Sequence, residues 1–157
     1  MRTYKFIKQS EIDAPIEKVF AFHEKPQVLM ELTPPWERME VIQFAGSIKP
    51  GTRTILKTSI GPLPQLWEAE HVEYDPPRLF ADVQRRGPFA YWYHKHRFES
   101  TERGTTMMID EIEYALPMGW FGNLFGGAFV RAKLQKVFDY RHRILAEKMK
   151  PSIASTR

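Results

Sequence analysis

Two histidines one residue apart are the clearest candidates for chemistry in this sequence. His94 and His96 lie in the segment Tyr91 to Ser100, whose composition and alternation predict a β-strand. Because side chains alternate between the two faces of a strand, both imidazoles should point the same way, about 6.6 Å apart along it. Trp92 and Phe98 share that face, so we expect it to be turned inward. Two imidazoles in an apolar interior could donate and accept protons near neutral pH.

An aspartate on the next predicted strand could orient one of these histidines. Asp110 should share a face with Met108, Ile112 and Tyr114. A carboxylate that accepts a hydrogen bond from an imidazole fixes its tautomer, as in an acid-base site. The same polar side chains could instead form a buried cluster that satisfies its own hydrogen bonds and specifies the sheet register. The candidate catalytic residues are His94, His96 and Asp110.

The spacing of the two histidines also fits two metal ligands on one strand. Asp110, Glu68 or Glu70 could then supply a third ligand. The chain has no cysteine, which excludes thiolate ligands and disulfides, and the sequence alone does not bring four ligands together. We therefore predict no metal site and no cofactor.

Aromatic residues are abundant, with eleven Phe, six Tyr and four Trp. Such large, rigid apolar groups can line a cavity as well as fill a core. The glycine-rich run from Pro117 to Gly127 could gate an apolar ligand or contact a membrane or a partner, or it could be an ordinary loop before a helix. The candidate ligand-binding residues are His23, Trp36, Trp67, Trp92, Phe98, Met108, Tyr114, Trp120, Phe121 and Phe125.

The elements that would position these side chains follow a simple order. A strand over Tyr4 to Ile12 precedes a short helix capped by Asp13 and a second short helix over Pro26 to Leu32. Six strands separated by turn residues follow, and without helices between them they should pair antiparallel. They span Arg38 to Ala45, Thr52 to Ile60, Gln65 to Tyr74, Arg78 to Arg86, Tyr91 to Ser100 and Thr105 to Ala115.

The last predicted element is a helix from Ala128 to Met149. One apolar face contains Val130, Leu134, Val137, Tyr140 and Ile144 at steps of three and four. This order predicts an α+β helix-grip fold, in which a curved antiparallel sheet of about seven strands surrounds a long C-terminal helix. We expect one domain over residues 1–150 and a frayed tail over 151–157.

Charge and hydropathy narrow the possible partners. The net charge is +4. From Ala128 onward the sequence contains eight basic and only two acidic residues, which is typical of a solvated helix face. Exposed aromatics do not interleave with these basic residues, so we predict no nucleic-acid binding. The uncharged run from Tyr114 to Val130 contains Pro and Gly and is shorter than the roughly 20 apolar residues of a membrane span. Without a secretory signal at the N-terminus, we expect a cytoplasmic protein with no stable membrane insertion.

Several phrases in this order resemble a known group of proteins. They are Phe22-His23-Glu24-Lys25-Pro26, Leu32-Thr33-Pro34-Pro35-Trp36-Glu37, Gly87-Pro88-Phe89, Trp92-x-His94-x-His96-x-Phe98, Asp110-x-x-x-Tyr114-x-Leu116-Pro117 and Phe138-x-Tyr140-Arg141-His142. Together they resemble the polyketide cyclase and START-related (SRPBCC) ligand-binding superfamily. More specifically, they resemble the branch of this superfamily that is often fused to an epimerase-like short-chain reductase.

This resemblance implies a deep cavity between the sheet and the long helix, used by relatives for lipids, polyketides or quinones. Three functions follow as expectations: binding of a hydrophobic or aromatic small molecule, cyclase or dehydratase chemistry by His94 and His96 with Asp110, or an accessory role beside a short-chain reductase. The sequence has no Gly-x-Gly-x-x-Gly, so we expect no nicotinamide cofactor. It does not predict an oligomeric state.

Overall fold

The computed structural model describes residues 1–44, 46–60, 63–118 and 122–151, and of residues 60 and 122–125 it describes the backbone alone. The predicted tail beyond residue 151 therefore lies outside the described residues. The elements are β1 (Thr3–Ile12), α1 (Ile16–His23), α2 (Val28–Glu31), β2 (Met39–Gln43), β3 (Arg53–Ile60), β4 (Leu63–Asp75), β5 (Leu79–Arg86), β6 (Tyr91–Ser100), β7 (Thr106–Ala115) and α3 (Gly122–Met149).

Seven strands form one sheet in the order β1-β7-β6-β5-β4-β3-β2, and every neighbouring pair is antiparallel. Strands β2 to β7 follow one another as a meander, and β1 joins the sheet at β7. In the turn between β6 and β7, Gly104 has φ +76°, a conformation that glycine adopts without steric cost. The predicted helix-grip fold is confirmed.

The short helices bury one end of this sheet. Asp13 was predicted to cap α1, but Pro15 holds the N-cap position in an extended conformation and no side chain caps the helix. Proline fits there because its fixed φ suits the start of a helix and it has no N–H to satisfy. The helix buries Val19 and Phe20 against Phe98 and Phe80 of the sheet. The second short helix is a single turn.

The long helix begins at Gly122, six residues before the predicted start at Ala128. Its buried stripe also differs from the predicted apolar face, since Tyr140 and Ile144 are only partly buried while His142 is almost fully buried. The periodicity of apolar residues could not reveal this, because the sheet supplies a polar partner for a buried histidine. The buried residues of the stripe are Leu134, Phe138, His142, Leu145 and Met149.

Several contacts hold α3 at the β1 edge of the sheet. Lys8 pairs with Asp139 at 2.7 Å, and Arg131 donates to the carbonyl of Lys5 at 3.4 Å. Because the helix lies to this side, space is left between it and strands β3 to β5. Among the described residues, no helix is long and apolar enough to cross a lipid bilayer.

An irregularity in β4 shapes the other side of that space. The register between β4 and β5 shifts between His71 and Glu73. His71 lines the hollow together with Trp67, whereas Tyr74, an odd number of residues further on, packs against Phe20 of α1. A bulge of this kind bends a strand and increases its twist. It therefore lets one strand contribute both to the hollow and to the packed end.

Candidate functional site

The register of three strands brings four ionisable side chains together on the face of the sheet that meets α3. Across β5 and β6, Asp82 pairs with His94, and across β6 and β7, Asp110 pairs with His96. Directly paired and diagonal side chains on one face of antiparallel strands are in reach of each other. Each aspartate therefore reaches both histidines, one from either side.

Asp110 is the centre of a buried hydrogen-bond network. Its Oδ1 lies 2.7 Å from His94 Nε2 and 2.9 Å from His96 Nδ1, and its Oδ2 lies 2.6 Å from His142 Nε2 on α3. A carboxylate only accepts, so each of these imidazole nitrogens carries the proton. His142 then accepts at Nδ1 from the hydroxyl of Ser10, at 2.5 Å. The network thus connects β1, α3, β7 and β6.

Asp82 continues these contacts on the other side of the histidines. Its Oδ2 lies 3.3 Å from His96 Nε2 and 3.8 Å from His94 Nδ1. His71 pairs with Asp82 across β4 and β5, and its Nδ1 lies 3.2 Å from the hydroxyl of Thr52. We call the whole set the polar row, and its members are Ser10, His71, Asp82, His94, His96, Asp110 and His142.

Electrostatics assign charges within the polar row. Burial alone would raise the pKa of Asp110, but hydrogen bonds from His142, His94 and His96 outweigh it and hold the pKa well below its usual range. The pKa of Asp82 is likewise lowered, against its burial, by His96 and His94. Burial and the neighbouring His96 lower the pKa of His94, whereas hydrogen bonds to two carboxylates raise the pKa of His96 despite burial. Of the two histidines, His96 is therefore the one that binds a proton more readily.

Two donors beside the polar row have no protein partner within the described part of the chain. The Nε1 of Trp92 and the Nε of Arg141 are buried and form no hydrogen bond. The guanidinium of Arg141 stacks on the ring of Phe138, with 5.2 Å to the ring centroid. Burial lowers the pKa of Arg141, although the carboxylates of Asp110 and Asp82 act in the opposite direction. Unsatisfied buried donors cost free energy, so they indicate positions where a bound molecule can supply an acceptor.

The polar row forms part of the wall of a cavity of about 340 Å³. The remaining wall is mostly apolar and comes from β3 to β6, α2, α3 and the loops between them. Phe44 and Phe129 line the cavity and are also exposed, which places them at its mouth. The side chains that surround the apolar interior include Leu29, Leu56, Trp67, Phe80, Phe89 and Val137.

The structure brings five of the thirteen candidate residues onto the cavity wall. They are His23, Trp67, Trp92, His94 and His96. Asp110 lies behind the two histidines, beside a pocket of about 30 Å³ that Met108 also lines. The positions of these side chains agree with the predicted inward face of β6; their roles stay predictions.

Four other candidates lie elsewhere. Phe98 and Tyr114 are 1% exposed and belong to the two packed clusters on either side of the polar row, and Met108 packs with Phe98. Trp36 is 45% exposed and packs on the outer side of α3, with its ring 5.3 Å from Tyr140. Alternation predicts only the face of a strand, and a face can be filled by neighbouring side chains instead of lining a hollow. Trp120, Phe121 and the side chain of Phe125 lie outside the described residues.

Sequence reasoning missed Asp82, His71 and His142 as members of the site. One signal was present, because all five histidines of the chain lie on the cavity wall or in the polar row. An even distribution would have placed some histidines on the solvated surface. His142 was hidden by its helix, since it falls between the residues of the predicted apolar face.

The sequence and the fold both match known proteins. The profile of the family described as polyketide cyclase / dehydrase and lipid transport matches residues 12–138. No curated protein sequence matches the chain significantly. A protein of Thermus thermophilus has a similar structure, with 20% identity and a TM-score of 0.73 over 98% of this chain and 100% of that one.

Two further solved structures show the range of the fold. The major latex-like protein 151 of Panax ginseng shares 15% identity, with a TM-score of 0.69 over 95% of this chain and 99% of its own. The nucleoside-diphosphate sugar epimerase of Corynebacterium glutamicum shares 24% identity, with a TM-score of 0.69 over 90% of this chain but only 28% of the epimerase. At these identities the likeness shows the fold alone.

Proposed function

The chain belongs to the family of polyketide cyclases, dehydrases and lipid transport proteins, and we propose that it binds an apolar, mainly aromatic small molecule that carries a hydrogen-bond acceptor. Membership of this family indicates ligand binding or cyclase-like or dehydrase-like chemistry. The observation that supports binding is the cavity of about 340 Å³ with its mostly apolar wall. Ligand pockets typically enclose roughly 300–1,000 Å³ and combine apolar walls with a few fixed polar groups.

The unpaired donors on the cavity wall are the reason to expect a hydrogen-bond acceptor on the ligand. Trp92 lines the cavity, and its indole N–H has no partner among the described residues. Leaving such a donor unsatisfied costs about 1–3 kcal/mol, which a ligand oxygen would recover. Arg141, on the same wall, could hold a carbonyl or an acidic oxygen by a charge-assisted bond.

Binding can be tested by a substitution that fills part of the cavity with a larger side chain. We expect 1-anilinonaphthalene-8-sulfonate and 1,4-naphthoquinone to bind, and solvent extraction of the purified protein followed by mass spectrometry to release an apolar molecule. The substitution Ala69→Trp adds an indole to the cavity wall and should lower probe affinity about tenfold or more. Leu66→Trp, on the exposed face of the same strand, is the matched control. Equal affinities for both variants, or no binding by the folded protein, would refute the proposal.

The acceptor can be tested separately. Trp92→Phe keeps an aromatic ring but removes the N–H, so binding of 1,4-naphthoquinone should weaken about 3- to 10-fold, as expected for one hydrogen bond. Naphthalene, which has no acceptor oxygen, should bind both proteins equally. A similar loss for both probes would show that the indole acts by shape rather than by hydrogen bonding.

A second candidate is acid-base catalysis such as cyclisation or dehydration. It is favoured by the 2.7 Å hydrogen bond between His94 Nε2 and Asp110, which fixes the tautomer and leaves Nδ1 as the free base. His96 lines the same wall and could return the proton. His94→Gln and His96→Gln should abolish turnover of a linear poly-β-ketone thioester while probe binding persists. Unchanged turnover would eliminate these roles.

The match to one segment of the Corynebacterium epimerase favours a third candidate, an accessory role beside a separate short-chain reductase. The exposed basic side of α3 is the surface we would test, with Arg143→Glu as the charge reversal. Lys49→Glu, on an exposed turn, is the control. If only Arg143→Glu loses the binding of a purified short-chain reductase, the contact lies on this side of α3. If both variants bind the reductase equally well, this surface is excluded.

A further inference from the structure

Three side chains of the polar row bring possible metal-ligand atoms close together at the cavity wall. Asp82, His94 and His96 each offer one such atom, and the atoms lie within 4.8 Å of one another. From this arrangement we propose that Asp82, His94 and His96 bind a divalent first-row transition metal at the wall of the cavity. The site requires neither the proposed ligand nor the proposed acid-base reaction.

Two of the three distances between the ligand atoms are close to those around a bound metal. Nitrogen and oxygen ligands lie about 2.0–2.2 Å from such a metal, which places adjacent ligand atoms about 3.0–3.5 Å apart. Asp82 Oδ2 and His96 Nε2 are 3.3 Å apart, and Asp82 Oδ2 and His94 Nδ1 are 3.8 Å apart. A shift of a few tenths of an ångström by one side chain brings the second distance into this range.

Asp110 supplies the outer support that metal-binding histidines usually have. It accepts from Nε2 of His94 at 2.7 Å and from Nδ1 of His96 at 2.9 Å. These bonds use the nitrogen on the far side of each ring, so the other nitrogen is the one directed to Asp82. A carboxylate behind the imidazole fixes the ring and increases its basicity as a ligand.

The donor set defines the class of metal. Two imidazoles and one carboxylate are typical of catalytic zinc and of non-haem iron(II), and they do not suit calcium, which binds oxygen ligands. All three side chains line the cavity, so the remaining coordination positions open toward it. Water or an acceptor oxygen of the bound molecule can occupy them.

The position of the third ligand differs from the sequence-based possibilities. Asp110 lies behind the histidines, and Glu68 and Glu70 form ion pairs with Arg53 at 2.7 and 2.9 Å. Asp82 takes this place because the β5–β6 register sets it beside His94. We therefore expect Asp110 to be a positioning residue and not a ligand.

Metal binding can be measured directly on the full chain after treatment with a chelator. We expect one Co²⁺ per chain, with d–d absorption of a nitrogen and oxygen site, and displacement of Co²⁺ by Zn²⁺. Asp82→Asn and His96→Ala should each weaken binding about 100-fold or more, and Asp110→Asn about 10- to 100-fold. Asp139→Asn removes a carboxylate from the exposed side of α3, away from the three ligands, and should bind Co²⁺ as the wild type does. Circular dichroism of each apo variant verifies its fold.

The inference fails if the folded wild type binds no stoichiometric Co²⁺ or Zn²⁺, or if Asp82→Asn binds Co²⁺ as tightly as the wild type. Binding of 1-anilinonaphthalene-8-sulfonate in excess chelator separates this failure from that of the proposed function. A protein that binds the fluorophore but no metal overturns only the metal site.

Discussion

The carboxylate of Asp110 accepts a hydrogen bond from the imidazole of His142, with 2.6 Å between Oδ2 and Nε2, and both residues are almost fully buried. This bond joins β7 to the long helix, and Ser10 satisfies the second nitrogen of His142 from β1. The helix is thereby fixed over β1 and β7. The cavity remains because the helix stays at a distance from β3 to β5.

Asp110→Asn should destabilise the protein strongly. The amide cannot accept from three imidazoles as the carboxylate does, and its own N–H groups would face imidazole donors. Breaking a buried charge network of this kind costs about 3–5 kcal/mol in the free energy of unfolding. Urea denaturation in the presence of EDTA measures this change.

The control for Asp110→Asn is Asp139→Asn, which removes a carboxylate from the exposed side of α3. Its pair with Lys8 is a surface ion pair, typically worth less than about 1 kcal/mol. Comparable losses for the two variants would show that Asp110 is not the centre of the network.

Because of the cavity, we expect two truncations of apolar side chains to differ in the stability that they cost. Ile112 is fully buried in the packed cluster around Trp92, and Ile112→Ala should cost about 2–5 kcal/mol. Leu56 lines the cavity and is only partly buried, so Leu56→Ala removes fewer contacts and should cost about half as much or less. Thermal and urea unfolding of both variants compare them. Equal losses would mean that Leu56 is packed as tightly as the core.

The fold was predictable from the sequence because its signals are local. Alternation and turn residues such as Asp75-Pro76-Pro77 and Arg103-Gly104 mark the strands, and a meander without helices has few ways to pair. The start of α3 was not predictable, since Gly126 and Gly127 lower helix propensity and the surrounding fold overrides it. The predicted and observed strand ends also differ by a few residues, because the surrounding fold and not the local sequence decides where pairing stops.

The candidate site was predictable only in part. His94 and His96 share a strand, so alternation places both on one face. Asp82 joins them through the β5–β6 register, and His142 through the position of α3, and neither of these is contained in the local pattern. Aromatic content likewise predicts apolar surfaces but not which of them remain unfilled, as Phe98 in the core and Trp67 on the cavity wall show.

Arg141 should distinguish acidic ligands from neutral ones. Its guanidinium lines the cavity, and a hydrogen bond to a charged group contributes about 1.5–3 kcal/mol, or roughly 10- to 100-fold in affinity. Arg141→Met should therefore weaken binding of 1-anilinonaphthalene-8-sulfonate and leave the uncharged N-phenyl-1-naphthylamine almost unchanged. Fluorescence titration measures both.

Lys133→Met is the control for Arg141. Lys133 also lines the cavity, but its ammonium pairs with Glu37 at 3.4 Å. If Lys133→Met weakens binding of the sulfonate as much as Arg141→Met does, the preference for acidic ligands arises from net charge and not from Arg141.

His23 should make the protein less stable in acid. Burial lowers the pKa of His23 to about 4, although its hydrogen bond to the carbonyl of Val19 acts in the opposite direction, and His96, Asp110 and His142 are the charged or titratable groups that face it. The unfolded chain, with an ordinary histidine pKa near 6.5, binds a proton that the folded chain excludes. The full stability is therefore present above about pH 6.5 and falls as the pH decreases toward 4.

The size of this effect follows from the difference between the two pKa values. A difference of about 2.5 corresponds to about 3 kcal/mol lost by pH 4, and His23→Phe removes that part of the pH dependence while keeping an aromatic ring among Phe22, Phe80 and Phe98. Urea denaturation between pH 7.5 and 4.5 in the presence of EDTA measures the slope. Phe22→Leu alters packing on the same helix without removing a titrating group, so its slope should equal that of the wild type. A wild-type slope in His23→Phe would show that other buried histidines cause the acid sensitivity.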